Sequence, residues 1–320
     1  MKPFAYVSAQ SPESAPEMVR DKGAWLAGGI DLLGLLKESL IEKTTLVNVK
    51  GLPGTNAITP GQAAWTIGAN TTIATIAAHP GIRKTFPGLA EAAAEVASPQ
   101  IRNVSTLAGN LAQHSRCWYY RHRDVKCLKN GGPTCYARTG ENKYHSLFSG
   151  NPCISPVVSN LATALSAFDA TVVLWRRNKE ISLTMAELYE NAWTNPLAHH
   201  SLRDDDLILR VSIPTDRTHS AYLQASERSD FDWALVSCAA AARLDSGRLS
   251  DCRVVLGAVA PVPYENEEVN SFLNDRILDQ ATATEAADLL LAPAEPLEHN
   301  GYKIPLAKAL VRRTLLQLNH

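Results

Sequence analysis

Cysteines and glycines are the residues of this chain whose types and spacing could do chemistry. Four of its six cysteines, Cys117, Cys127, Cys135 and Cys153, fall within residues 115–156, separated by nine, seven and seventeen residues. Gly, Pro, Asn and basic residues fill the intervals, and no helical or strand period runs through them. A run this long without periodicity inside a compact domain is either functional or disordered. Seven Lys or Arg residues lie between Arg116 and Lys143, against only Asp124 and Glu141. The residues alone read as a metal site of undetermined kind with a positive surround. Three readings compete. A structural zinc prefers paired C-x₂₋₄-C spacing, which is absent. Two disulfides would require an oxidising compartment. Unligated thiols are the third.

The glycines offer two further candidates. Ala27-Gly28-Gly29-Ile30-Asp31-Leu32 sits between an expected strand and an expected helix. Backbone N–H groups at such a turn form an anion site, and a Cβ would block close approach of a phosphate. An ordinary tight turn is the competing reading. Thr106-Leu107-Ala108-Gly109-Asn110 places a hydroxyl, a bare glycine backbone and an amide side chain together. Cys238 and Cys252 lie in apolar strand patterns and read as buried small hydrophobes. His199-His200 and Asp204-Asp205-Asp206 read as solvated turns. His114 and His122 flank the cysteines. No Ser–His–Asp or paired-carboxylate pattern is present, so no catalytic acid–base residues are expected in this chain.

These motifs must be positioned by a chain of 320 residues, 45% apolar and 20% charged, with a formal net charge of −1. That composition suits a soluble protein with a substantial core and gives no case for nucleic acid as a partner. The N-terminus lacks an apolar signal-peptide core. No segment approaches the roughly 18–20 apolar residues of a membrane span. Strands are expected at 3–8, 24–27, 45–49, 64–69, 171–175 and 207–213. Helices are expected at 14–21, from 31 onward, and at 71–78, 89–97 and 159–168, the third of these closed by Pro80-Gly81. Beyond Pro214 the texture changes. Residues 222–225, 234–242 and 254–259 read as an antiparallel layer, and 266–273, 282–291 and 303–318 as helices. The last has the i, i+3, i+4 spacing of a one-sided helix. The fold class is α+β, with a boundary near 215–220.

Together the motifs carry a resemblance. AGGIDLL near residue 30 and IRNVSTLAGNL near residue 105 resemble AGGTDLL and IRNxATxGGN of the flavoprotein (medium) subunits of the molybdenum hydroxylases. Ile30 and Ala108 depart mildly from that pattern. Residues 160–172 resemble SDLAxALxALDATV, with Asn160 in place of the usual Asp. Residues 228–237 resemble RxxFAxVS, and 257–263 resemble GGVAPTP. The resemblance spans nearly the whole chain. It implies an FAD-binding domain of the vanillyl-alcohol-oxidase (PCMH) type with two subdomains over residues 1–216. A C-terminal α+β domain of the CO dehydrogenase flavoprotein type would follow over residues 217–320.

By the same resemblance, Ala27–Leu32 and Thr106–Asn110 would wrap the FAD pyrophosphate and ribityl chain. Asn160, Asp169 and Arg228 would lie nearer the adenine or the flavin ring. The loop 115–156 resembles the insertion that carries a 4Fe–4S cluster in flavin subunits of three-subunit aldehyde oxidoreductases and 4-hydroxybenzoyl-CoA reductase. Cys117, Cys127, Cys135 and Cys153 would be its ligands, and the cationic loop would offset the negative cluster. The implied partners are a molybdopterin-binding large subunit, a 2Fe–2S small subunit and an external electron acceptor. The implied location is cytoplasmic, or periplasmic by export with a partner. Alternatives are a reductase that runs the same chain backwards, and a stand-alone FAD-dependent oxidase.

Overall fold

The computed structural model describes residues 1–228 and 231–319. Three sheets organise them. β1 (Ala5–Ser8), β2 (Gly23–Leu26) and β3 (Thr45–Asn48) form a small parallel sheet in the order β1-β3-β2. One of its faces packs Ala15, Val19, Val47 and Val49 together with Leu207 and Leu209 of the next subdomain. β4 (Ile58–Thr59), β5 (Ala64–Gly68), β6 (Thr171–Arg176), β7 (Lys179–Thr184) and β8 (Leu207–Pro214) form the second sheet, antiparallel, in the order β4-β5-β8-β6-β7. Helices Ile73–Ala78, Pro80–Thr85, Pro87–Ala94 and Asn160–Ala167 supply most of the core against it. Phe86 sits edge-on between Trp65 and Phe168, with ring centroids 5.7 and 5.3 Å away.

The third sheet is an antiparallel meander of β9 (His219–Ala225), β10 (Val236–Asp245) and β11 (Arg248–Gly257), in the order β11-β10-β9. Side chains alternate between the faces of a strand, and β10 uses both. Ala239 and Ala241 enter the core of the preceding domain, while Cys238, Ala240 and Ala242 pack under helices Glu267–Leu273, Gln280–Leu291 and Lys303–Gln317. The run of alanines lets both layers approach closely. Cys238 and Cys252 are buried there at 0% and 2% exposure, as read from their apolar surroundings.

Three local readings change. Pro80 opens a second helix instead of closing the first, because Pro suits the first helical position and His79 Nδ1 accepts the Ile82 N–H. β7 and the helix Met185–Thr194 arise in a stretch where no element was expected, and the Thr184/Glu187 capping box starts that helix. Asp206 is not in a solvated turn. It is 3% exposed and accepts from Arg176 Nε at 2.6 Å. Among the described residues no helix is long and apolar enough to cross a membrane.

Candidate functional site

β2 delivers the chain into the first glycine turn. A Cβ on Gly28 would stand 2.3 Å from the Val104 carbonyl oxygen, and Gly29 has φ +74°. The turn is therefore pressed onto the residues that lead into Thr106, and the two motifs form one surface. Thr106 caps the short helix Leu107–Leu111 by accepting the Gly109 N–H at 3.2 Å. The Leu107 and Ala108 N–H groups donate to the Thr71 and Ala69 carbonyls, which pins this helix to the strand-to-helix turn after β5. Among the described residues, the N–H groups of Gly28, Gly29, Ile30 and Asp31 find no backbone acceptor.

Asn110 extends the site toward the third sheet. Its Oδ1 accepts the Ser159 hydroxyl at 2.6 Å, and Ser159 caps the helix that begins at Asn160. Asn160 Nδ2 in turn donates to Gln224 Oε1 on β9 at 2.8 Å. Ala27–Leu32, Thr106–Asn110 and Asn160 thus lie along one continuous set of contacts. Asp169 does not join them. It follows the other end of the Asn160–Ala167 helix, about 13 Å away at 1.5 Å per residue. There it accepts from Arg217 at 2.7 Å and Arg253 at 3.0 Å. Arg228 is exposed, 3.4 Å from Asp232, and its neighbours Ser229 and Asp230 lie outside the described residues.

Asp31 faces the cysteine loop. Its carboxylate accepts from the His114 N–H at 2.8 Å and from Arg121 at 2.7 Å, and pairs with Arg116 at 3.0 Å. Burial pushes this carboxyl up, but the two guanidiniums and the His114 N–H outweigh it and hold it below the usual carboxylate range. Arg116 also lies over the Trp233 ring, 4.6 Å from its centroid. One carboxylate therefore ties the first glycine turn to the start of the loop.

The four loop cysteines line one small cavity, together with Tyr119, Tyr120, Leu128, Lys129, Tyr136, His145 and Ser155. All four are free thiols, and Cys127 and Cys153 are each 5% exposed. The Cys153 thiol donates to Cys135, which pulls Cys135 down to about 6 and pushes Cys153 up. Burial pushes Cys117 up to about 11, and its sulfur lies 3.1 Å from His145 Nε2. Burial lowers Lys129, and the four neighbouring thiols oppose that shift. Gly132 makes the tight return near Cys127 possible, since a Cβ there would collide with the Lys126 carbonyl. Among the described residues no three His, Cys, Asp or Glu side chains are grouped to hold a metal ion.

A second small cavity lies beside the first, lined by residues 113–115, 155–158, Ala192, Ala198, His199, Pro261 and Lys129. His199-His200 is not a solvated turn. His199 stacks on His114 with centroids 4.1 Å apart and accepts the Ser115 N–H, while His200 Nδ1 is buried with no partner. Burial lowers all three rings, His114 and His200 to about 4. Sequence reasoning also missed Lys303, which is fully buried and donates to the His145 and Ala258 carbonyls. A signal existed. Lys303 falls on the same stripe as Ala307, Leu310, Val311 and Thr314, the buried face of its helix.

With this geometry described, comparison with known proteins gives consistent matches. The family model for the FAD binding domain in molybdopterin dehydrogenase matches residues 2–216. That for the CO dehydrogenase flavoprotein C-terminal domain matches residues 221–318. The chain is 31% identical over 323 residues to the aldehyde oxidoreductase FAD-binding subunit PaoB of Escherichia coli (strain K12), covering 99% of this chain and 98% of that one. It is 24% identical to the carbon monoxide dehydrogenase medium chain of Hydrogenophaga pseudoflava, covering 98% and 96%. In fold it is similar to a chain of reconstituted CO dehydrogenase from Oligotropha carboxidovorans, with TM-score 0.78, 20% identity and 99% of both chains covered.

Proposed function

Because the chain belongs to the family of FAD-binding (medium) subunits of the molybdenum hydroxylases, we propose that it carries FAD and a 4Fe–4S cluster as the electron-transfer subunit of a heterotrimer. A molybdopterin-binding large subunit would oxidise the substrate, and a 2Fe–2S small subunit would feed this chain. An external acceptor would then take the electrons. The similarity to an aldehyde oxidoreductase subunit favours an aldehyde as substrate of the complex.

The observation that carries the second redox centre is the convergence of all four loop cysteines on one cavity, in a loop that Asp31 ties to the first glycine turn. Four cysteines are the donor set of a Cys₄ cluster, and the paired C-x₂₋₄-C spacing that a structural zinc prefers is absent. When bound, the flavin takes electrons singly and releases them in pairs, and an iron–sulfur cluster passes single electrons. The chain's own part is to hold and tune both groups. Ala27–Leu32 and Thr106–Asn110 would hold the pyrophosphate and ribityl chain, with unpaired N–H groups at Gly28–Asp31 to receive anionic oxygens. Asn160 would approach the flavin, whereas the Asp169 carboxylate is already occupied by Arg217 and Arg253. Cys117, Cys127, Cys135 and Cys153 would bind iron, with His145 beside Cys117 and Lys129 supplying buried positive charge.

The test is an absorption spectrum with iron and acid-labile sulfide analysis of the anaerobically purified complex. Flavin bands together with a broad iron–sulfur shoulder are expected. The Cys127→Ser variant should keep the flavin and lose about four iron and four sulfide per complex, with the shoulder falling to that of the small subunit's 2Fe–2S clusters. A wild-type complex that holds flavin but no iron beyond those clusters would remove the second centre, and one that holds no flavin either would remove the whole reading.

A further inference from the structure

The two cavities share a wall. Lys129 and Ser155 line both, and no other residue does. Lys129 reaches that position because the chain turns tightly after Cys127. A single turn of 3₁₀ helix spans Leu128–Asn130, and Gly131 closes it with φ +77°. The ammonium group then donates to the Ala198 carbonyl at 2.7 Å, on the side of the second cavity. No acidic side chain pairs with Lys129 among the described ion pairs, and the residue is 9% exposed. A buried cation held only by a carbonyl is costly unless negative charge lies nearby. The surroundings of this one are four thiols on one side and, on the other, the second cavity, whose lining residue Gln113 donates to the Asn110 carbonyl at 3.0 Å.

We infer that Lys129 is a positioning residue whose single positive charge is shared by both redox centres, and so raises the reduction potential of each. The inference rests on the reading that the cysteines bind a cluster and that the second cavity adjoins the flavin. Each centre gains negative charge on reduction, so a fixed cation in the shared wall favours reduction of both. The nearby histidines cannot substitute for it, since burial keeps them neutral. Arg116 and Arg121 are engaged by Asp31. A unit charge within about 12 Å at an effective dielectric constant of about 20 changes such an equilibrium about tenfold. For a one-electron couple that is about 59 mV.

The test uses the purified heterotrimer with Lys129→Met, Lys129→Gln and Lys129→Arg. Flavin, iron and sulfide content are measured first. Redox titrations then follow the cluster by electron paramagnetic resonance and the flavin by visible absorbance. Both neutral variants should lower both midpoint potentials, the cluster's by the equivalent of about tenfold, and Lys129→Arg should restore them. Where the neutral variants lose the loop's iron while Lys129→Arg keeps it, the flavin potential decides, and an unshifted flavin overturns the shared role. A shift at only one centre, or at neither, overturns the shared role. So does loss of iron from Lys129→Arg as well, which would mark a requirement for lysine shape. A wild-type complex with no iron beyond that of the 2Fe–2S clusters would instead refute the proposed second centre, which is a different outcome.

Discussion

The link between the first glycine turn and the cysteine loop rests on Asp31, and Asp31→Asn tests it. In the wild type this carboxylate takes one backbone N–H and two guanidiniums, and the side chains of Asp31, Arg116 and Arg121 are 15%, 24% and 19% exposed. Breaking a fully buried pair costs about 3–5 kcal/mol, and an exposed pair contributes less than about 1. With roughly a fifth of each side chain in solvent, the loss should be about 2–3 kcal/mol, largely from leaving two neighbouring guanidiniums without their anion. In a chain of this size that corresponds to about 3–5 °C in Tm.

Calorimetry of the purified chain as a function of pH adds a sign test. A carboxyl held below its ordinary value stabilises the fold above the unfolded pKa, near 3.9, and loses that contribution as pH falls through the folded value. The difference between wild type and Asp31→Asn should therefore be constant from pH 7 to about 5 and shrink below about 4. A double-mutant cycle with Arg121→Met isolates the pair. A Tm change under about 1 °C, or additive effects of the two substitutions, would refute the reasoning.

Three further outcomes follow from other contacts. Gly28→Ala drives a Cβ into the Val104 carbonyl, with backbone on both sides and no flexible group to yield. It should cost about 1–3 kcal/mol and lower the flavin content, read from the ratio of absorbance at the flavin band to that of protein. Lys303→Met leaves the His145 and Ala258 carbonyls without their donor. It should cost about 1–3 kcal/mol and raise hydrogen exchange across residues 142–148 more than elsewhere. His200 is held down to about 4 by burial, so the folded state prefers the neutral ring while the unfolded state takes up a proton near 6.5. Stability from this residue is complete above 6.5 and should fall by roughly 3 kcal/mol as pH drops towards 4, a slope that His200→Gln should flatten in urea titrations at successive pH values.

The elements with regular side-chain periods were legible from sequence. β10 with its alternating faces and the Lys303–Gln317 helix with its apolar stripe were both expected near their observed places. The stretch 176–206 was not, although the capping box at Thr184 and Glu187 marks its helix plainly. The glycine turns were found because close backbone approach demands glycine, and Val104 is the backbone that makes that demand on Gly28. The histidines were misread for the opposite reason. His199-His200 sits among polar residues, and only the fold brings His114, eighty-five positions earlier, into stacking contact. Lys129 was likewise one cation among seven until the turn after Cys127 placed it between two cavities.

The cysteine loop lacks periodicity because its order comes from outside it. On the flavin side, Asp31 holds Arg116 and Arg121. On the side of the Met185–Thr194 helix, Asn151 Nδ2 donates to the Ala192 and Trp193 carbonyls. The third anchor is the C-terminal domain. The Leu147 and Phe148 N–H groups donate to the Val259 carbonyl, Asn300 Nδ2 donates to the His145 and Ser146 carbonyls, and the His299 N–H donates to Asn142. Leu147 and Phe148 themselves complete that domain's core. A segment bonded in this way has its backbone groups satisfied without any helix or strand of its own. The consequence concerns assembly. His145 is one of the residues that the C-terminal domain clamps and also the one beside Cys117, so contacts from that domain bear directly on the wall of the cysteine cavity. Docking of that domain should therefore order the cysteine cavity, while the glycine turns at Gly28 and Gly109 are built within the first domain.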